Sequence, residues 1–259
     1  MTGSIRVDET EHVATVWIDN INRKNAISRS MWIALGDYFR QFASNSTLRC
    51  IVLRGAGSDA FASGADISEF ATTRANREQA TEFAHHVHRA MQLVHECPIP
   101  TLAAIRGVCV GGGLELATVC DLRICTDDSR FAVPIARLGA TLAYAELRGL
   151  QDLAGPSVAL ELLLEGRTFD AAEALAKGLV GRVLPHTEFE SETAATVSRI
   201  CKGAPLSARW HKKFVRRLRE SAALTAEEIA EGLACFDTED YRTGYRTFLE
   251  KTEPHFIGR

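Results

Sequence analysis

The residues best suited to chemistry lie in one short run, Ile105-Arg-Gly-Val-Cys-Val-Gly-Gly-Gly-Leu-Glu115-Leu-Ala. A strand-like apolar segment leads into three consecutive glycines and then a helix-like segment. Glycines let a ligand approach the main chain, and the first turn of a helix leaves N–H groups without partners. Those donors, backed by the positive end of the helix dipole, suit a developing negative charge. Glu115 follows Gly112 by about one helical turn, so a carboxylate stands beside that turn. Apolar neighbours would raise its pKa toward neutrality, which suits a general base. The plainer readings are tight helix–strand packing for the glycines and an ordinary helix glutamate for Glu115. The run is not a phosphate loop, because Gly107-x-x-x-x-Gly112 is followed by Gly113-Leu114 rather than Lys and Ser or Thr.

A second run, Ala60-Phe-Ala-Ser63-Gly64-Ala65-Asp66-Ile67, places small residues after a strand and before a helix start. A backbone N–H could point into a cleft here too. By itself the octapeptide also fits a plain loop with Asp66 as a cap. Other constellations are weaker. His85, His86, His88 and His95 share one long helix without a convincing third ligand for zinc, so they read as solvated or packing residues. Trp210 to Arg219 is a basic amphipathic stretch that reads as a solvated or interface face, with RNA, a membrane surface or an acidic partner helix as the alternatives. No G-x-S-x-G elbow is present.

The elements needed to position these residues alternate in the first half. His12–Ile18 reads as a strand, Ser28 to Ala43 as a helix capped by Ser28, and Cys50–Leu53 as a short apolar strand. A long helix is expected from about Arg77 to Glu96, a strand at Leu102–Ile105, and a helix from Gly112 to Val119. Leu122–Cys125 and Phe131–Val133 are two more strands. This rhythm predicts βαβ units with strands buried on both faces. Beyond residue 141 the strand signal fades apart from Arg182–Leu184, and helix starts are marked at Asp170-x-x-Glu173, Thr187-x-x-Glu190 and Thr225-x-x-Glu228. The last 60 or so residues read as wholly helical.

Composition narrows the function classes. The 259 residues can bury about 70% of their unfolded surface. The 30 basic and 33 acidic side chains leave a net charge of -3, with no excess to draw the whole chain onto nucleic acid or an anionic membrane. Seven cysteines without a CxxC pair argue against a disulfide framework and for a reducing, cytoplasmic compartment. No apolar run reaches the roughly 18 residues of a membrane helix.

Taken together, F-x-x-G-A-D-I at 61–67 and G-x-x-x-G-G-G-x-E-L-A-x-x-C-D at 107–121 resemble the enoyl-CoA hydratase/isomerase (crotonase) superfamily. Asn22-Arg-Lys-Asn-Ala26, Arg167 to Val180 and Asp240 to Phe256 resemble further family segments in the same order. The resemblance implies an α/β crotonase (ClpP-like) fold. Repeated ββα units form a spiral core over residues 1–200, and residues 201–259 form a helical trimerisation region. It implies an acyl-CoA thioester substrate, a homotrimer or dimer of trimers, and no metal, flavin or nicotinamide, coenzyme A being part of the substrate. Nucleic acid and membrane are not implied partners. The N–H groups of Ala65 and Gly112 would hold the thioester carbonyl and its enolate, and Glu115 would activate water. Arg23, Lys24, Ala26, Ser63, Asp66, Ile67 and Lys251 are implied contacts to CoA, and Ile135, Leu138 and Tyr144 line the expected acyl pocket.

One departure affects the reaction. Hydratases of the family carry a second glutamate after a proline, and here Pro134 is followed by Ile135, which cannot transfer a proton. The leading expectation is hydration of a 2-enoyl-CoA, with water, Tyr144 or Glu146 replacing the missing carboxyl. The alternatives are another acyl-CoA enolate reaction (decarboxylation, isomerisation or thioester hydrolysis) and a weakly catalytic acyl-CoA- or RNA-binding relative.

Overall fold

Two sheets share the strands of each repeat in the computed structural model, which describes residues 3–259. The larger sheet has the order β1 (Ser4–Glu9), β2 (Val13–Asp19), β3 (Cys50–Gly55), β5 (Thr101–Ile105), β7 (Leu122–Thr126) and β10 (Arg182–Leu184). The β1–β2 pair is antiparallel and the other pairs are parallel. The smaller sheet runs β4 (Ala60–Ala62), β6 (Val108–Val110), β8 (Arg130–Ala132) and β9 (Phe169–Asp170). Successive ββ pairs thus send one strand to each sheet, β3 and β4, then β5 and β6, then β7 and β8. This is the expected repeat of ββα units, an α/β crotonase fold with helices at its C-terminal end.

The helices cover this framework. α1 (Arg29–Ala43) is capped by Ser28, whose hydroxyl accepts from Met31 N–H at 3.3 Å. α1 buries Met31, Trp32, Leu35, Phe39 and Phe42 against α3 (Arg77–Glu96), which buries Phe83, Val87, Ala90, Met91 and Val94. Both helices have apolar residues recurring every three or four positions, so each presents one stripe to the core. The short α2 (Phe70–Thr73) precedes α3, and α4 (Gly112–Thr118) follows the glycine run. Strands β3 and β5 are buried nearly throughout, consistent with cover on both faces.

The expected strands and the helices at 29–43, 77–96 and 112–118 are present, within a few residues at their ends. Four strands, β1, β4, β6 and β9, add to that reading, and the last three are two or three residues long. The second half is α5 (Tyr144–Glu165), α6 (Ala171–Ala176), α7 (His186–Lys202), α8 (Pro205–Arg217), α9 (Ala226–Glu231) and α10 (Glu239–Glu250). α5 is bent where Gly155 takes φ 80° ahead of Pro156. Asp170 and Thr225 cap α6 and α9 as expected. Thr187 does not cap α7. The helix starts directly after Pro185, which has no N–H to donate, so Thr187 lies inside its first turn. The tail is helical only to Glu250, and residues 252–259 have no regular structure.

The basic stretch in α8 buries one cation and leaves the others half-buried or exposed, each paired within the chain. Lys212 is buried and its Nζ lies 2.6 Å from Asp121, while Arg209 donates to the carbonyls of Asn45, Ser46 and Leu48. Arg217 pairs with Glu228, Lys213 with Glu231 and Arg219 with Asp152. These cations are engaged with the fold's own carbonyls and carboxylates. No helix among the described residues is long and apolar enough to cross a membrane.

Candidate active site

The glycine run does three jobs at consecutive positions. Gly111 sits at φ 52°, ψ -125°, a conformation that side chains disfavour, and so turns β6 into α4. Gly113 packs so closely on β4 that a β-carbon there would stand 2.4 Å from the Ala62 carbonyl oxygen. Gly112 stands between them, where a β-carbon would approach only Trp32, at 3.3 Å, and then Ala65 N at 3.7 Å. The packing reading of the run therefore holds at Gly113, while Gly112 is the less crowded position.

Residues 63–66 are brought against this turn by the loop at 20–27. Ile27 N–H donates to the Gly64 carbonyl at 2.8 Å, Asp66 N–H to the Ile27 carbonyl at 3.1 Å, and Ser63 N–H to the Lys24 carbonyl at 3.0 Å. Asn25 ties the loop to β4 by donating to the carbonyls of Ala56 and Ala60. Neither Ala65 N–H nor Gly112 N–H bonds to a backbone carbonyl among the described residues. Unpartnered N–H donors of this kind, one of them at a helix start, are the groups that can stabilise a carbonyl oxygen gaining negative charge.

Glu115 lies one turn into α4 and is 6% exposed. Burial, and then the negative charge of Glu146, push its carboxyl from 4.5 to about 8, with Arg74 opposing. A carboxyl in that range can give up and regain a proton near neutral pH. Glu146 comes from the first turn of α5, which packs on α4. Its Oε2 accepts from Ala143 N–H at 2.7 Å, and its Oε1 lies 3.4 Å from His88 Nε2. That contact is too poorly aligned to be a hydrogen bond and leaves the buried His88 Nε2 without a partner. Arg74, at the end of α2, is held over the rings of Phe70 and Phe83, 4.7 and 4.1 Å from their centroids.

The expected CoA-contacting residues divide. Arg23, Lys24, Ala26, Ser63, Asp66 and Ile67 are brought together by the bonds above. Arg23 Nη1 donates to both Asp66 oxygens, at 2.7 and 2.8 Å, and Ser63 Oγ donates to the Arg23 carbonyl at 3.1 Å. Burial raises the Asp66 carboxyl, but the Ser68 hydroxyl and N–H and the Arg23 guanidinium outweigh it and hold the group low. Asp66 also caps the turn that follows it, so the plain reading of that residue holds as well. Lys24 has φ 50° and lines a cleft of about 150 Å³ with Ile21, Asn25 and residues 56–60. Ile67 is exposed. Lys251 ends α10, and no hydrogen bond or ion pair among the described residues ties it to residues 23–26 or 63–67.

Of the expected acyl-pocket residues, Ile135 is half-buried against the core, whereas Leu138 is 56% and Tyr144 95% exposed in the single chain. Arg74 and His88 were not among the residues singled out for chemistry. His88 was assigned a solvated or packing role, and a lone arginine after a four-residue helix carries no local signal.

Residues 8–259 match the family model for enoyl-CoA hydratase/isomerase. The chain belongs to the enoyl-CoA hydratase/isomerase family. It is 29% identical to a crotonyl-CoA hydratase from Syntrophomonas wolfei, over 99% of this chain and 98% of that protein. It is also 29% identical to a short-chain-enoyl-CoA hydratase from Clostridium acetobutylicum, over 96% of this chain and 95% of that protein. A solved enoyl-CoA hydratase/carnithine racemase from Magnetospirillum magneticum superposes with a TM-score of 0.97 at 43% identity, covering 98% of this chain and 96% of that one. An enoyl-CoA hydratase structure from Bacillus anthracis gives 0.89 at 28% identity, covering 98% and 99%. Membership of this family implies an acyl-CoA substrate.

Proposed function

We propose that this chain adds water to a 2-enoyl-CoA, giving the 3-hydroxyacyl-CoA, or runs the reverse reaction. The observation that carries this reading is the unpartnered N–H pair of Ala65 and Gly112 beside the buried Glu115 carboxyl. The two donors hold the thioester oxygen as water bonds to C3 and charge moves onto the enolate. A donor fixed in advance in this way is typically worth about 100- to 1,000-fold in rate. Glu115 is the proton-transfer group beside these donors, its carboxyl raised to the range where a proton can be given up and regained near neutral pH. Arg23 and Lys24 meet the phosphates or adenine of CoA, with Ala26, Ser63, Asp66 and Ile67 bordering its channel and Lys251 reaching it from a neighbouring subunit. Ile135, Leu138 and Tyr144 face the acyl chain.

The protein acts as a homotrimer or dimer of trimers in a reducing, cytoplasmic setting. Residues 201–259 build the contacts between copies. Support comes from the large apolar side chains left exposed there, among them Ile229, Leu233, Phe236, Tyr245 and Phe248, the last 83% exposed. The seven cysteines are free, and five are buried.

A second reading, favoured by aliphatic Ile135, is another enolate reaction on acyl-CoA, such as decarboxylation, isomerisation or thioester hydrolysis. Mixing the protein with crotonyl-CoA and longer enoyl-CoAs and following the conjugated-thioester absorbance tests the first reading. Acyl-CoA binding without loss of that absorbance refutes it, and mass spectrometry of an acyl-CoA panel then tests the second.

A further inference from the structure

The loop that should bring a second carboxyl to the site brings Ile135 instead, yet a second carboxyl, that of Glu146, comes near enough to Glu115 to act on its charge. Glu146 enters from α5, and its side chain is only 13% exposed. The approach of α5 is enforced one turn further on, where Gly149 lies so near α4 that a β-carbon would stand 2.7 Å from Thr118 Oγ1. Thr118 is in turn one turn beyond Glu115 and donates to the Glu115 carbonyl at 2.7 Å. Two helices pressed together at Thr118 and Gly149 bring their preceding turns, with Glu115 and Glu146, to one side of the contact.

Helix capping accounts for only half of Glu146. Its Oε2 accepts from Ala143 N–H, but its Oε1 makes no hydrogen bond among the described residues and faces the unpartnered His88 Nε2. Arg74 acts on both carboxyls, Glu146 more strongly than Glu115, and makes no ion pair among the described residues. The titratable groups facing the two carboxyls are thus Arg74 from the end of α2 and His88 from α3. Buried polar groups are normally bonded, so this set has hydrogen-bonding capacity to offer a ligand.

We propose that Glu146 is the second proton-transfer carboxyl of this site and works with Glu115 as a pair, in the place that Ile135 leaves empty of chemistry. This rests on the acyl-CoA enolate reading. The like charge of Glu146 helps to keep a proton on Glu115 at neutral pH, so the pair starts with one proton. As the C3–O bond forms, the C2=C3 π electrons move into the enolate and the water's proton passes to the ionised carboxyl. The proton already on the other carboxyl then goes to C2 as the enolate collapses. The pair ends with one proton, and no outside acid, base or oxidant is needed. Arg74 and His88 are positioning residues that offset the charge left on the pair.

Glu146→Gln tests this, because its amide oxygen can still accept from Ala143 N–H and keep the cap. Loss of a general acid–base group predicts a fall in kcat on crotonyl-CoA of about 100- to 10,000-fold, with KM little changed. The basic limb of the kcat/KM profile also moves to lower pH, since Glu115, which holds the pair's proton, loses a neighbouring negative charge and gives that proton up more readily. Rates within threefold of the parent, with an unmoved profile, overturn the proposal. Glu146→Asp is the second variant, keeping a carboxyl while weakening the cap. It should lose stability yet retain more activity than the Gln variant, and the reverse order assigns Glu146 to capping alone. Deuterium uptake at C2 of butanoyl-CoA in D2O separates the two levels of inference. Exchange by the parent without any hydration ends the hydratase reading, and the pair then stands or falls on whether Glu146→Gln abolishes exchange. A parent with neither reaction overturns both.

Discussion

Lys212 and Asp121 meet at 2.6 Å, with the lysine side chain 6% and the aspartate 30% exposed, so α8, the first helix to start within residues 201–259, is tied to the core by an ion pair whose cation is buried. Lys212 Nζ also donates to the Ile99 carbonyl at 3.1 Å, and Asp121 accepts from both the N–H and the hydroxyl of Thr101. Removing Lys212 leaves the Asp121 carboxylate, 30% exposed and still held by Thr101, without its cation and the Ile99 carbonyl without its donor, a loss that typically costs about 1–3 kcal/mol. Lys212→Ala should therefore lower stability by that order in urea unfolding, whereas a double change to Met at 212 and Asn at 121 should recover part of the loss. A Lys212→Ala variant as stable as the parent would mean that water reaches the pair.

Neighbouring glycines should fail in different ways. A methyl group at Gly113 meets the Ala62 backbone at 2.4 Å, so Gly113→Ala overpacks the helix–strand contact, a change that typically costs about 1–3 kcal/mol. A methyl group at Gly112 meets only the Trp32 ring, at 3.3 Å, so Gly112→Ala should fold. It should nonetheless lose turnover by at least about 100-fold, because the methyl stands where the thioester must approach its donor. Melting curves and enoyl-CoA kinetics on the two variants should show opposite losses.

Stability should carry the signature of Glu115. Its folded value, about 8, lies above its ordinary 4.5, so between those limits the native state holds a proton that the unfolded chain has lost. Stability from this group is intact below about pH 4.5 and falls as pH rises through 8, by on the order of 4 kcal/mol in all. Glu115→Gln removes that dependence. The variant should match the parent near pH 5 and exceed it by several kcal/mol near pH 9, while losing about 100- to 10,000-fold in hydratase rate. Denaturant titrations at the two pH values check the sign.

The exposed apolar face of the tail makes a prediction about assembly. Phe248 is 83% exposed and sits on α10 near Tyr245 and Leu249. Phe248→Glu should shift the sedimentation profile toward single chains at micromolar concentration while leaving the far-ultraviolet spectrum unchanged. An unaltered profile would place the contacts between copies elsewhere.

Much of the core was legible because its signals are local. Ser28 announces α1, the i, i+3, i+4 apolar stripe defines α3, and the step from Val110 through three glycines to Leu114 marks α4. Strands β4, β6 and β9 were not legible, since two or three residues carry no alternation to read. α5 was obscured by Gly149, Gly155 and Pro156, which interrupt its period. At the site, Ala65, Gly112 and Glu115 lie in two motifs, whereas Arg74, His88 and Glu146 come from three separate helices and meet only through packing. No spacing in a sequence encodes that meeting.

The N–H groups proposed to hold the thioester, those of Ala65 and Gly112, are main-chain atoms, so their identity does not depend on any side chain that mutation can exchange. The carboxyls are side chains, which a single substitution can remove. A lineage built this way can inherit thioester activation intact while proton-handling groups come and go around it. Ile135 and Glu146 would then record one such exchange, a change of reagent within an unchanged vessel.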